Sequence, residues 1–167
     1  KNTSEFAFPQ ECVIQYTPNS YKECKKNIYE GYLLSKATKS KVEREFEKWC
    51  EKNSDWFYKN GDKGNEYFSI LYANEYGKQK LFYLEYVLSI NGEIWIIETK
   101  GGITYSGADA NIDDFSEKKF NALKEYVARY NLKGGFVVLD EEMLLFVSRI
   151  ISSLKSNINS PSLINYF

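Results

Sequence analysis

The sequence predicts an α/β fold in which a mixed central sheet is flanked by helices on both faces, a three-layer sandwich. An Asn91-Gly92 pair lies between two apolar, aromatic-rich runs, which is a strong signal for a tight β-hairpin. The second run is apolar on both faces from Ile94 to Ile97, as in a strand covered on both sides. A helical pattern and an apolar strand follow, and this order is typical of a parallel crossover.

Composition limits the possible functions. The 167 residues are enough for one domain with a core, and 43% hydrophobic with 27% charged residues is a soluble globular composition. The absence of histidine excludes Ser-His-Asp and Cys-His catalysis and the usual zinc sites for this chain. Three cysteines, an odd number, favour a reducing compartment, so we expect a cytoplasmic protein. No apolar run approaches the roughly 18–20 residues of a membrane span, so we expect no membrane partner.

We expect residues 1–38 to form a lead-in segment packed on a main domain of residues 39–167. The chain starts without Met or a secretory signal, which suggests a fragment of a longer protein. The main domain opens with a predicted helix over residues 39–53. Ser40 is a suitable N-cap, and Glu43 three residues later completes a capping-box pattern. Apolar residues then recur at helical spacing. They are Val42, Phe46, Trp49 and Cys50.

The rest of the domain is predicted to be mostly strands. Turn residues separate two short strands from the hairpin, and a second amphipathic helix is predicted to end at Gly134-Gly135. A buried strand follows, and the segment after it is either a strand or the start of a helix. The predicted strands cover residues 54–60, 67–73, 79–100 as the hairpin and 136–139, the helix covers 115–130, and the undecided segment is 143–148.

The hairpin places two glutamates together. A two-residue turn sets a register in which Glu85 faces Glu98, with Cβ atoms roughly 4.5–5.5 Å apart. Like charges so close are destabilising unless a divalent cation offsets them. Side chains alternate along a strand, so Lys100 lies on the same face as Glu98. The hairpin thus presents two carboxylates and an ammonium at one spot.

This combination is typical of a magnesium-dependent phosphodiester hydrolase. Mg²⁺ prefers one or two carboxylates, here Glu85 and Glu98, and the Thr99 carbonyl could also reach it. Lys100 would stabilise a hydroxide nucleophile or developing negative charge. Two alternatives remain. Glu-x-Lys can be a solvated strand edge, and two carboxylates about 5–9.5 Å apart also occur in glycosidases, although Lys100 argues against the latter.

The motifs resemble a known family. The stretches F-Y-L-E-Y-V and G-E-I-W-I-I-E-T-K-G-G, with W-F-Y-K-N before them and N-I-D-x-x-x-x-x-K after them, resemble the PD-(D/E)XK nuclease core. They look most like the carboxy-terminal endonuclease domain of type III restriction enzyme subunits and related helicases. The resemblance runs from near Lys39 to near Leu145.

The resemblance implies a restriction-endonuclease-like fold for residues 39–167 and metal-dependent cleavage of DNA. Its acidic position falls on Glu85, and its Glu and Lys fall on Glu98 and Lys100. A further helix glutamate corresponds to Glu43. The family also implies Mg²⁺, or Mn²⁺, as cofactor, an upstream helicase or ATPase domain of the same polypeptide and a methyltransferase subunit as partners. DNA contacts are expected from two flanking lysines, Lys59 and Lys119.

The sequence departs from the family pattern twice. Leu84 replaces the usual Pro, which shapes the strand rather than the chemistry. Glu85 replaces the usual Asp, and the added methylene moves the carboxylate by about an ångström, a displacement to which catalysis is sensitive. A catalytically inactive nuclease-fold module, serving DNA binding or inter-domain contact, is therefore the second hypothesis. The net charge of −1 also predicts that another domain supplies most of the DNA affinity, because a DNA-binding domain usually carries a basic excess.

Overall fold

The computed structural model describes residues 9–10, 23–33, 39–64, 67–100, 114–140 and 143–147. These ranges contain two helices and seven strands. In chain order they are α1 Lys41–Asn53, β1 Trp56–Lys59, β2 Ile70–Ala73, β3 Gln79–Phe82, β4 Tyr86–Ile90, β5 Glu93–Lys100, α2 Asp114–Arg129, β6 Lys133–Asp140 and β7 Met143–Val147. No helix in the described part of the chain is long and apolar enough to cross a membrane.

Five strands form one mixed sheet in the order β1-β4-β5-β6-β7. The β5–β6 pair is parallel, and the other neighbours in this sheet are antiparallel. The parallel pair is joined through α2, as the predicted crossover requires. Strands β2 and β3 form a separate two-stranded sheet. The predicted α/β class with a mixed sheet is therefore confirmed.

The two helices contribute to separate cores made by alternate residues of the strands. Val87, Ile96 and Phe136 belong to the core that contains the α2 residues Phe120 and Leu123. Successive strand residues point to opposite faces of a sheet. The neighbouring strand residues accordingly pack with α1, in a core that contains Phe46, Cys50, Tyr86, Leu88, Ile97 and Val137.

Helix α1 begins as its sequence predicts. The Ser40 hydroxyl accepts a hydrogen bond from the Glu43 N–H at 3.3 Å, and the Glu43 carboxylate accepts one from the Ser40 N–H at 2.7 Å. This reciprocal capping box satisfies two N–H groups that have no partner within the helix. The first helical residue is Lys41, and Val42, Phe46 and Cys50 are buried along one side.

The hairpin turn and register are also confirmed. Asn91 and Gly92 have φ values of 52° and 78°, the positive pair that a type I′ turn needs. Ile90 pairs with Glu93, and the ladder runs back to the pair of Tyr86 with Ile97. It ends there, one pair short of Glu85 and Glu98.

The first half of the predicted hairpin is two strands, not one. Strand β3 pairs with β2, and the chain bends at Glu85 before β4 enters the main sheet. Asn60 fixes this bend. Its backbone N–H donates to the Glu85 carbonyl at 2.7 Å, and its side-chain amide donates to the carbonyls of Leu84 and Phe68, each at 2.8 Å.

The structure corrects the expectation that Gly134-Gly135 ends the second helix. The predicted helix over residues 115–130 agrees with α2 to within one residue at each end, and Asn131, two residues after Arg129, has a φ of 53°. Gly134 lies inside β6, where an added Cβ would be 2.6 Å from the Ile96 carbonyl oxygen. Because Gly134 has no side chain, β6 can lie close to β5 at this point. Gly134 therefore has a role in strand packing and does not end the helix.

Two further expectations concern the ends of the domain. The undecided segment after β6 is a strand, β7, which pairs with β6. In the lead-in segment, residues 23–33 contact the sheet through a bridge between Asn27 and Phe57. Apart from residues 9–10, the rest of that segment lies outside the described residues, as do Gly101, Gly102 and Asp113.

Candidate functional site

The end of β5 carries a buried ion pair. Glu98 shares its face of the strand with Ile96, on the α2 side, and is only 6% exposed. The Lys100 ammonium donates to one Glu98 carboxylate oxygen at 2.7 Å and lies 5.5 Å from the centre of the Phe136 ring. The predicted pairing of Glu98 and Lys100 on one face is therefore present.

The second Glu98 oxygen, Oε2, is buried and has no hydrogen-bond partner within the described part of the chain. Burial is the main cause that raises the pKa of Glu98 to about 7, and the charge of Glu85 raises it further. Lys100 and Lys119 lower that pKa but do not outweigh burial. A buried carboxylate oxygen without a donor is costly, and a cation would relieve that cost.

Glu85 lies at the rim of the sheet, in the bend before β4. One carboxylate oxygen accepts hydrogen bonds from the Thr99 N–H, at 2.9 Å, and from the Thr99 hydroxyl. The other oxygen is 3.7 Å from the Lys59 ammonium. Glu85 is therefore not a ladder partner of Glu98, but it is close enough to raise the pKa of Glu98.

The backbone of Thr99 contributes to the same place. Its N–H points beyond the end of β4 toward Glu85. In a strand, the N–H and C=O of one residue point to the same side, so the Thr99 carbonyl is directed toward this rim as well. The Thr99 backbone and the Glu85 carboxylate thus meet where β4 ends, close enough to Glu98 for the charge of Glu85 to raise its pKa.

Glu43 and Lys59 form a second ion pair, on the α1 side of the rim. The Lys59 ammonium donates to Glu43 at 2.7 Å and lies 4.6 Å from the centre of the Tyr86 ring. Burial raises the pKa of Glu43, but the charge and hydrogen bond of Lys59, with bonds from Ser40, shift it below its usual value. For Lys59, burial lowers the pKa, but the charges of Glu85 and Glu43 outweigh burial, so the pKa of Lys59 lies above its usual value.

These surroundings bear on two sequence-based assignments. The sequence predicts two roles for Glu43, as a capping residue and as a catalytic candidate. In the structure, Glu43 caps α1 and also binds Lys59. The predicted DNA contact of Lys59 is not what its surroundings favour, because its side chain is only 20% exposed and two carboxylates engage its ammonium. Lys119 lies on α2 with its ammonium 5.4 Å from the centre of the Phe82 ring, near enough to act on Glu98.

Sequence reasoning missed a buried network beside this ion pair. Glu47 is 0% exposed, and its carboxylate accepts hydrogen bonds from the hydroxyls of Tyr32 and Tyr86, each at 2.9 Å, and from Lys39 at 2.7 Å. The available signal was its place on the helix, directly after buried Phe46 and one turn on from Glu43.

Comparison with protein-family models, curated proteins and solved structures finds no match to this chain. Among the residues that the structure describes, no three His, Cys, Asp or Glu side chains are grouped so as to hold a metal ion. A magnesium ion needs fewer, since it usually takes one or two protein carboxylates and completes its shell with water and phosphate. The unpaired Glu98 oxygen, Glu85 and the Thr99 carbonyl are hard oxygen donors that fit this ion.

Proposed function

We propose that this chain is a magnesium-dependent DNA endonuclease domain that hydrolyses phosphodiester bonds as part of a larger type III restriction or helicase protein. One observation carries the proposal. At the end of a central strand, Glu98 is buried with one oxygen that has no hydrogen-bond partner among the described residues, while Lys100 binds the other oxygen and the charge of Glu85 acts on the group. The restriction-endonuclease-like version of the α/β fold belongs to the same proposal, because it rests on the order of the motifs.

The residues of this site have different proposed roles in binding the metal and in stabilising charge. Glu85, Glu98 and the Thr99 carbonyl would hold Mg²⁺, which in such sites polarises a phosphate oxygen and activates water. Lys100 provides a fixed positive charge for the negative charge that develops on the scissile phosphate. Its bond to Glu98 orients it, and its ammonium lies over the Phe136 ring. Lys119, on the neighbouring helix, would contact the DNA backbone.

The test is cleavage of plasmid DNA with Mg²⁺ or Mn²⁺ by the parent and by Lys100→Ala. Loss of a charge contact to the transition state typically lowers the rate about 10²–10³-fold, and we expect that loss. Lys133→Ala is the matched control, because Lys133 is 53% exposed and its nearest carboxylate contact, to Glu93, is 3.8 Å. Cleavage by Lys100→Ala at the parent rate would remove Lys100 from the mechanism.

A second candidate function is a nuclease-fold module without activity. Glu85 favours it, because Thr99 and Lys59 engage both of its carboxylate oxygens. Such a module need not bind Mg²⁺ at Glu85 and Glu98. Titration of the chain with Mg²⁺ separates the two candidates, since a module that takes up no ion cannot be the proposed enzyme.

The proposed partners are DNA and an upstream helicase or ATPase domain of the same polypeptide. A net charge of −1 offers little of the positive excess that drives non-specific affinity for phosphates. We therefore expect this chain alone to bind DNA weakly and to cut it poorly, and attachment of the helicase portion to raise activity. Salt-sensitive binding of a generic duplex by these residues at submicromolar concentration would refute this expectation.

A further inference from the structure

The Lys59 ammonium lies between two carboxylates, 2.7 Å from Glu43 and 3.7 Å from Glu85. It also sits over the Tyr86 ring, with its centroid 4.6 Å away. Two carboxylates and one aromatic ring therefore contact this ammonium and hold its positive charge at one point of the rim. The point adjoins the candidate metal ligands, because Glu85 contacts both Lys59 and Thr99.

Glu43 and Glu98 differ in how many of their carboxylate oxygens have a protein partner. The Glu43 oxygen that does not bind Lys59 accepts from the Ser40 N–H at 2.7 Å. Glu43 therefore has a partner on each oxygen. Glu98 has a partner on one oxygen only, and its Oε2 is buried without a donor in the described part of the chain. The cation position between Glu43 and Glu85 is filled by Lys59, whereas no cation of the described residues binds Oε2 of Glu98.

We propose that Lys59 is a built-in cation that stands where a second metal ion would bind, so that the site takes a single divalent ion at Glu85 and Glu98. This inference rests on the proposed nuclease function. In two-metal phosphoryl-transfer sites the ions lie about 3.5–4 Å apart and flank the reacting phosphate. Here Glu85 is the shared carboxylate, with the ammonium on one side and the metal ligands on the other.

The charges at the rim agree with a single ion. Glu43, Glu85 and Glu98 are joined in ion pairs with Lys59 and Lys100, three carboxylates against two ammoniums. Their sum is one negative charge. A divalent ion and one phosphodiester group bring these groups to neutrality, whereas two divalent ions would leave an excess of two positive charges. Removal of the Lys59 charge would shift that balance toward a second ion.

The experiment counts Mn²⁺ ions bound per chain, by calorimetric titration and by electron paramagnetic resonance of free Mn²⁺. We expect a single ion for the parent. Lys59→Met keeps an unbranched apolar side chain at this position but removes the charge, and we expect it to bind a second ion. Lys59→Gln, which retains a donor for Glu43, gives a second variant if the Met variant fails to fold. Circular dichroism checks the fold of each.

Two matched controls locate the second ion. Lys59→Arg keeps the charge, so it should bind a single ion like the parent. Glu43→Gln combined with Lys59→Met removes a carboxylate of the new position and should also return to a single ion. Two ions on the parent, or a single ion on both neutral variants, would overturn the inference while leaving the nuclease proposal intact. No ion on the parent would overturn both.

Discussion

Replacing Glu98 by Gln is expected to stabilise the metal-free protein at pH 8, although it removes a proposed metal ligand. The pKa of Glu98 is raised from 4.5 to about 7, chiefly by burial and next by Glu85. The folded state therefore binds more protons than the unfolded state between these two values. Stability falls as pH rises through this window, because the buried carboxylate must ionise.

The magnitude follows from the displacement of the pKa. About 2.5 pH units at about 1.4 kcal/mol each give about 3.5 kcal/mol, of which about 2.5 kcal/mol is lost between pH 5 and pH 8. Gln is uncharged over the whole range, so Glu98→Gln does not lose this stability. Glu43 and Asp55 have lowered pKa values and act in the opposite direction, losing stability as pH falls. The difference between parent and variant cancels their contribution.

The assay is urea denaturation at pH 5 and pH 8 with a chelator present. Glu93→Gln is the control, because Glu93 lies on the same strand with its side chain 58% exposed. We expect the free-energy difference between parent and Glu98→Gln to change by about 2.5 kcal/mol between these pH values, and that for Glu93→Gln to stay constant. Mg²⁺ added at pH 8 should stabilise the parent and Glu93→Gln but not Glu98→Gln. A pH-independent difference for Glu98→Gln would refute the reasoning.

Three further changes test other parts of the molecule. Glu47→Gln should lower the free energy of unfolding by about 3 kcal/mol, because it leaves Lys39 without its buried counter-charge; urea denaturation measures this. Gly134→Ala should cost about 1–3 kcal/mol in the same assay, since its Cβ would meet the Ile96 carbonyl. Glu85→Asp should keep or improve single-turnover cleavage of plasmid DNA, whereas Glu85→Gln should abolish it. Equal rates for Glu85→Gln and the parent would show that Glu85 is not a ligand.

The sequence predicts best what depends on neighbours along the chain. The capping box at Ser40 and the register set by Asn91-Gly92 are local rules, and the structure contains both. Alternation along one strand is local too, and it places Glu98 and Lys100 together.

What the sequence did not predict depends on distant partners. The bend at Glu85 is held by Asn60, which lies far before it in the chain and gives no turn signal at the bend itself. The pairing of Lys59 with Glu43 depends on which face of the sheet α1 covers, and strand periodicity cannot supply that. Gly134 has the helix-ending pattern, but contact with β5 determines its role.

The aromatic excess of this chain, 17% of its residues, has a consequence for its lysines. Each of four ammonium groups lies over a ring, at 4.3 to 5.5 Å from the ring centre. They are Lys39 over Tyr32, Lys59 over Tyr86, Lys100 over Phe136 and Lys119 over Phe82. A free lysine side chain carries about 2 kcal/mol of rotamer entropy. Because a ring contact restricts each of these lysines, much of that entropy is lost when the chain folds. An anion that binds at the rim therefore avoids the entropic cost of ordering these side chains.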